Sequence, residues 1–127
     1  FRYIFIVTNQ QCVGKKILSL EKLNFIHEQM LNEISNNFGS ITNIYCATEL
    51  NGPKMSRRKP LPAMGLNAKK DYPSINFSKS IIIGDTDSDI KFGKNLGMKT
   101  VCLNSKEIIN ESPDLFCDSL LEFCNLL

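Results

Sequence analysis

The chain has 127 residues, enough for one domain with a real core and too few for two ordinary ones. Hydrophobic residues make up 43% and charged residues 22%, and a net charge of +2 gives no bulk electrostatic footprint for nucleic acid. The five cysteines are scattered without a C-x-x-C pair, and no apolar run nears the roughly 18 residues of a membrane span; the expectation is a cytoplasmic protein with free thiols and no membrane partner.

Residues 3–7 (Tyr-Ile-Phe-Ile-Val) form an unbroken apolar, β-rich run that ends in Thr8-Asn9-Gln10, as a parallel strand emptying into a polar loop does. The loop 10–17 carries Gly14, Lys15 and Lys16. A helix is predicted from Ser19, which can cap it with Glu21 in the first turn, and Leu20, Leu23, Ile26, Met30, Leu31 and Ile34 mark its buried face. Asn36-Asn37-Phe38-Gly39 stops that helix. A second, shorter strand is predicted over 41–46, then a polar loop 47–59 with Gly52, Pro53 and the cluster Arg57-Arg58-Lys59. A short helix over 63–71, a connector over 72–78 and a strand of three isoleucines, Ile81 to Ile83, follow. The helix 87–96 ends at Gly97, 99–103 is the next strand, 104–114 a polar loop, and 119–126 a closing amphipathic helix. Strands alternating with helices predict an α/β fold with a doubly wound parallel sheet.

Chemistry concentrates at strand ends. Gly84 lets the chain turn after the isoleucines, and Asp85, Asp87 and Asp89 follow where an open α/β sheet keeps its ligand crevice. Carboxylates there suit Mg²⁺, which takes oxygen ligands and keeps several waters. The plainer alternative is that Asp85 or Asp87 merely caps the helix 87–96. Thr8, Lys59 and the Asp85/Asp89 pair reach the same kind of place, and a hydroxyl, an ammonium and carboxylates together suit a transferring phosphoryl group. His27, the single histidine, falls mid-helix among apolar residues and reads as packing or solvent rather than as an acid or base.

Ile6-Val7-Thr8-Asn9-Gln10, Arg58-Lys59-Pro60 with Met64, and Gly84-Asp85-x-x-x-Asp89-Ile90 resemble the second, third and fourth motifs of haloacid-dehalogenase-type (HAD) phosphatases without a large cap. Within that superfamily they are most similar to the heptose bisphosphate phosphatase and histidinol-phosphatase group, over roughly the first four-fifths of the chain. The resemblance implies that Thr8, Asn9, Gln10 and Gln11 hold the transferred phosphate and that Lys59 neutralises it. Arg58 would read a more distant substrate group, Thr86 would bind substrate, Asp85 would hold Mg²⁺, and Asp89 would orient Lys59 or a metal-bound water rather than bind the ion. The implied enzyme is a Mg²⁺-dependent, monomeric hydrolase of a small sugar phosphate acting through an aspartyl-phosphate.

The chain also departs from that pattern. The nucleophile of such enzymes lies in an Asp-x-Asp after a first strand, upstream of the Thr-Asn-Gln loop, and no such segment stands before Phe1. Residues 1–127 are therefore expected to be one domain lacking its first strand, inactive and poorly folded alone. A structural zinc is common in the group, yet only Cys46 matches, with Thr48, Met55 and Arg57 in the other three places, so no zinc is expected. Cys12, Lys16 and Ala63 stand where the group has glycines, which leaves the substrate open. Polynucleotide 3′-phosphatase and histidinol-phosphatase activities stay as alternatives, as does a non-catalytic remnant that binds a sugar phosphate or a protein.

Overall fold

A computed structural model describes residues 1–50 and 56–127, so Gly52, Pro53 and Met55 lie outside the described residues. The described chain forms two compact units, Phe1–Arg58 and Lys59–Leu127. No helix among the described residues is long and apolar enough to cross a membrane.

In the first unit, β1 (Phe5–Asn9) pairs in parallel with β2 (Asn43–Ala47), in a register that sets Phe5 beside Asn43 and Asn9 beside Ala47. Both strands run further than their apolar patterns suggest: Thr8 and Asn9, expected in a loop, are the last residues of β1 because Cys46 and Ala47 pair with them. Where sequence predicts a loop after β1, Gln11–Gly14 close one helical turn, α1. Lys16 follows with φ 58°, a left-handed conformation at one of the positions where glycine was expected. Ser19 then caps α2 (Leu20–Asn36), its Oγ accepting from the Lys22 N–H at 3.1 Å. The covered stripe of α2 runs through Leu23, His27, Met30, Leu31 and Ile34; Leu20 and Ile26, predicted on that face, are exposed beside it. His27 is thus half-buried in an apolar stripe.

The second unit is a three-stranded parallel sheet in the order β3 (Ile81–Gly84), β4 (Lys99–Leu103), β5 (Leu115–Cys117). Alternation along the strands divides its two faces. Ile81, Ile83, Val101, Leu103 and Cys117 pack with Phe123 of α5 (Leu120–Asn125), whereas Ile82 and Thr100 lie under Gly93 of α4 (Asp87–Leu96). The isoleucines of β3 are half-buried rather than fully enclosed, since β3 ends the strand order of its sheet. Helix α3 (Ala63–Asp71) buries Met64 and Ala68, and a side chain at Gly65 would run into Leu96 and Phe92, so α3 lies close against α4. Thr100, fully buried at the start of β4, exchanges hydrogen bonds with Asp114, whose carboxylate accepts from its N–H at 2.8 Å and its hydroxyl at 2.9 Å. That clasp sets the start of β5, a strand too short to show in the sequence.

Candidate active site

At the carboxyl end of β3 the chain passes from Gly84 into a turn that becomes α4. Neither Asp85 nor Asp87 caps the helix. Thr86 takes the N-cap position in extended backbone, and the Asp89 carboxylate reaches back to it, Oδ2 accepting from the Thr86 N–H at 3.2 Å and from its hydroxyl at 2.7 Å. The Ser88 hydroxyl lies 2.8 Å from that of Thr86. The other Asp89 oxygen, Oδ1, accepts from Lys59 Nζ at 2.5 Å, with the two side chains 7% and 12% exposed. Two charges that far out of water are tolerable only because they meet each other and the Thr86 donors. A Cβ on Gly84 would run into Asp89 Cβ and Cγ. Glycine is therefore required here for close approach, not for a left-handed turn, since Gly84 is absent from the positive-φ residues.

Lys59 comes from the segment before α3, and its cis peptide bond to Pro60 is followed by a tie to α4, where Asn95 Nδ2 donates to the Pro60 carbonyl at 2.9 Å. Asp85 differs in every respect. It is exposed, and no hydrogen bond or ion pair among the described residues engages its carboxylate. Its backbone carbonyl accepts from Ser105 Oγ at 3.0 Å. Asp87 turns to the loop after β4, accepting from the N–H groups of Asn110 and Glu111 at 2.9 and 3.0 Å and from the Asn110 amide at 3.1 Å. Those donors, Glu111 N–H first, hold its carboxyl below the ordinary range. Beneath the turn, burial pushes the Cys102 thiol up, and the negative charges of Asp85, Asp89 and Asp87 push it the same way, so this cysteine stays a protonated, packed side chain.

The remaining predicted residues lie in the first unit. The Thr8 hydroxyl accepts from Gln10 Nε2 at 3.0 Å, which leaves its own proton to donate elsewhere. The backbone N–H of Gln10, expected to be open to phosphate, donates to the Ala47 carbonyl at 2.7 Å, and Gln11 opens α1. Arg58 Nη1 donates to the Glu49 carbonyl at 3.3 Å, and Arg57 pairs with the Glu49 carboxylate at the same distance. Within the second unit the structure thus brings Lys59, Thr86 and Asp89 together with Asp85 one residue away. Sequence reasoning missed Ser105, for which an isolated serine in a polar loop carries no signal.

A family profile described as HAD-hydrolase-like matches residues 56–123, more than half of the chain. The chain belongs to the HAD-like hydrolase family. The matched segment holds the HAD-like residues Arg58, Lys59, Asp85, Thr86 and Asp89 and leaves 8–11 outside. Among curated HAD-type relatives, the chain is similar to D-glycero-beta-D-manno-heptose-1,7-bisphosphate 7-phosphatase of Rhodopseudomonas palustris, 30% identical over 76% of this chain and 57% of the relative. It is likewise similar to D-glycero-alpha-D-manno-heptose-1,7-bisphosphate 7-phosphatase of Mycobacterium bovis, 28% identical over 95% of this chain and 66% of the relative. The chain thus spans between 57% and 66% of the length of these two. Its fold matches that of a D,D-heptose 1,7-bisphosphate phosphatase from B. bronchiseptica solved with magnesium and phosphate, with a TM-score of 0.87 at 18% identity, over 98% of this chain and 73% of that one. The α/β, parallel-stranded HAD architecture expected from sequence is therefore the one found.

Proposed function

We propose that this chain is part of a Mg²⁺-dependent phosphatase for a small sugar phosphate, D-glycero-D-manno-heptose 1,7-bisphosphate in first place. The observation that carries the reading is the buried Lys59–Asp89 pair beside an exposed Asp85, whose carboxylate none of the described residues engages, at the carboxyl end of a parallel strand. The names of the relatives supply the substrate. Both units are read as parts of one phosphatase domain, a reading supported by a fold match that covers 98% of the chain.

Mg²⁺ fits the donors present. No group of three or more His, Cys, Asp or Glu side chains gathers among the described residues, yet this ion is commonly held by one or two carboxylates, waters and substrate phosphate. Asp85 would hold it, and the ion would supply charge to the phosphoryl oxygens. Lys59 carries a fixed positive charge to the same oxygens, and Asp89 fixes its direction, so that little reorganises when charge builds on the phosphoryl group. Thr8 would donate its hydroxyl proton to a phosphate oxygen, with Asn9, Gln10 and Gln11 shaping the loop around it. Gln10 acts there through its side-chain bond to Thr8, since Ala47 occupies its N–H. Arg58 would read a second substrate group through the donors that Glu49 leaves open. Thr86 spends its hydroxyl on Asp89, so its contact with substrate falls to the remaining parts of the residue.

The nucleophile is assigned to an Asp-x-Asp segment that residues 1–127 do not match, and these residues by themselves are expected to be inactive. The free cysteines suit a monomer in the reducing cytoplasm. The test is hydrolysis by the full-length protein of heptose bisphosphate, histidinol phosphate and a 3′-phosphorylated oligonucleotide, each with Mg²⁺ and with chelator. The expected result is chelator-sensitive turnover favouring the heptose bisphosphate. Turnover that survives both Lys59→Ala and chelation would overturn the reading.

A further inference from the structure

The acidic turn is tied to the 104–114 loop at two points, the backbone of Asp85 and the side chain of Asp87. At Asp85 itself, through the backbone, Ser105 Oγ donates to the Asp85 carbonyl at 3.0 Å and accepts from the Glu107 N–H at 3.1 Å. After it, the Asp87 carboxylate takes the N–H groups of Asn110 and Glu111 and the Asn110 amide. Glu111 in turn meets Lys94 and Lys91 of α4 at 2.9 and 3.4 Å. An acid at the start of a helix is ordinarily accounted for by the helix dipole. Asp87 does more than that, because its oxygens are aimed at loop amides more than twenty residues away in sequence. Among the described residues the Asp85 side chain has no partner to set its direction; its position is inherited from the backbone held at its own carbonyl and at Asp87.

We infer that Ser105 and Asp87 are positioning residues for Asp85, which clamp the 104–111 loop to the turn and so fix where its carboxylate meets a divalent cation. The inference rests on the reading of Asp85 as the Mg²⁺ ligand, and it names the outer groups that hold that ligand in place. Outer partners of a metal ligand are worth about 10–100-fold in metal affinity. A clamp that served only the loop would leave metal affinity unchanged.

The experiment uses the full-length protein and Mn²⁺, a cation with the same preference for oxygen donors, counted by electron paramagnetic resonance. Phosphoester kinetics at varied Mg²⁺ accompany it. Asp87→Asn and Ser105→Ala should each raise the half-saturating metal concentration about tenfold, the lower end of the outer-partner range. The KM for the phosphoester and kcat at saturating metal should stay within about twofold. Ser105→Thr, which keeps the hydroxyl, should restore the wild-type value. Asn110→Ala removes a single donor to Asp87 and should shift affinity in the same direction by less, which guards against a poorly folded Asp87 variant. If all three weakening variants hold Mn²⁺ as wild type does while Asp85→Asn loses it, the inference falls and the reading of Asp85 stands. If Asp85→Asn holds Mn²⁺ as tightly as wild type, both fall.

Discussion

Lys59 and Asp89 show how a site residue can also be a structural one. Their side chains are 12% and 7% exposed and 2.5 Å apart, so removing Lys59 takes the ion-pair partner from a carboxylate held away from water. Loss of one member of a buried pair costs about 3–5 kcal/mol, whereas replacing both by apolar groups of similar volume is often neutral. Lys59→Met should therefore destabilise the protein by about 3–5 kcal/mol in urea unfolding, and Lys59→Met/Asp89→Leu should recover a large part of it. The recovery stops short of complete because Asp89 also accepts from the Thr86 N–H and hydroxyl. Neither variant should regain turnover, since the fixed charge is gone in both. Equal stability of Lys59→Met and wild type would show that the pair is open to water in solution.

Helix α4 is the element on which the site hangs, and its two glycines are needed for different reasons. A Cβ on Gly93 would run into Ile82 Cγ2 and stand 2.7 Å from Thr100 Cγ2, branched atoms that cannot swing aside. Gly97 has open space around its Cα but sits at φ 71°, closing the helix with Met98 N–H on the Gly93 carbonyl at 2.9 Å. Gly93→Ala should cost about 1–3 kcal/mol through overpacking. Gly97→Ala should cost about 1–2 kcal/mol through backbone strain, and Gly97→Asn should recover part of that while no polar swap rescues Gly93. Chemical denaturation of the three variants checks both statements. Of these two roles, only that of Gly97 was legible in the sequence, as the stop after a helical pattern. Helix α4, α3 and β4 were legible for similar reasons: each has its own apolar spacing or end signal. Strand β5 and helix α1 were not, because three and four residues carry no period, and they owe their state to pairing with β4 and to contacts such as Gly14 N–H on the Thr48 carbonyl. In the site, Lys59, Asp85 and Asp89 could be picked out by residue type and order. The cap at Thr86, the tether at Asp87 and the link to Ser105 could not, since each depends on a partner distant in sequence or on the geometry of the turn.

On the scale of the whole chain, a net charge of +2 means that acid adds repulsion to a molecule already slightly positive. Besides Asp87, two carboxylates of the Lys59–Leu127 unit tie its stability to acid. Asp114 is held below its ordinary 3.8 chiefly by the Thr100 N–H and hydroxyl, with Lys99 and Lys94 adding to the effect. Glu111 is held below 4.5 chiefly by its bond to Lys94, with Lys91 also contributing. Groups whose folded pKa is depressed add stability that is fully present above the unfolded value and lost as the pH falls through the folded one. Stability should therefore be flat with respect to these two groups at neutral pH and decline from about 4.5 downward, as Glu111 and Asp114 lose their partners. The decline has a place as well as a direction. Glu111 and Asp114 lie in or beside the loop between β4 and β5, so that loop should open before the strands separate. Urea unfolding at stepped pH should show a shallower acid limb for Asp114→Asn than for wild type, from a lower starting stability. Brief proteolysis over the same steps should cut within 104–114 before it cuts β3 or β4. An acid limb of equal slope in the variant, or first cuts outside that loop, would place the proton-sensitive contacts elsewhere in the molecule.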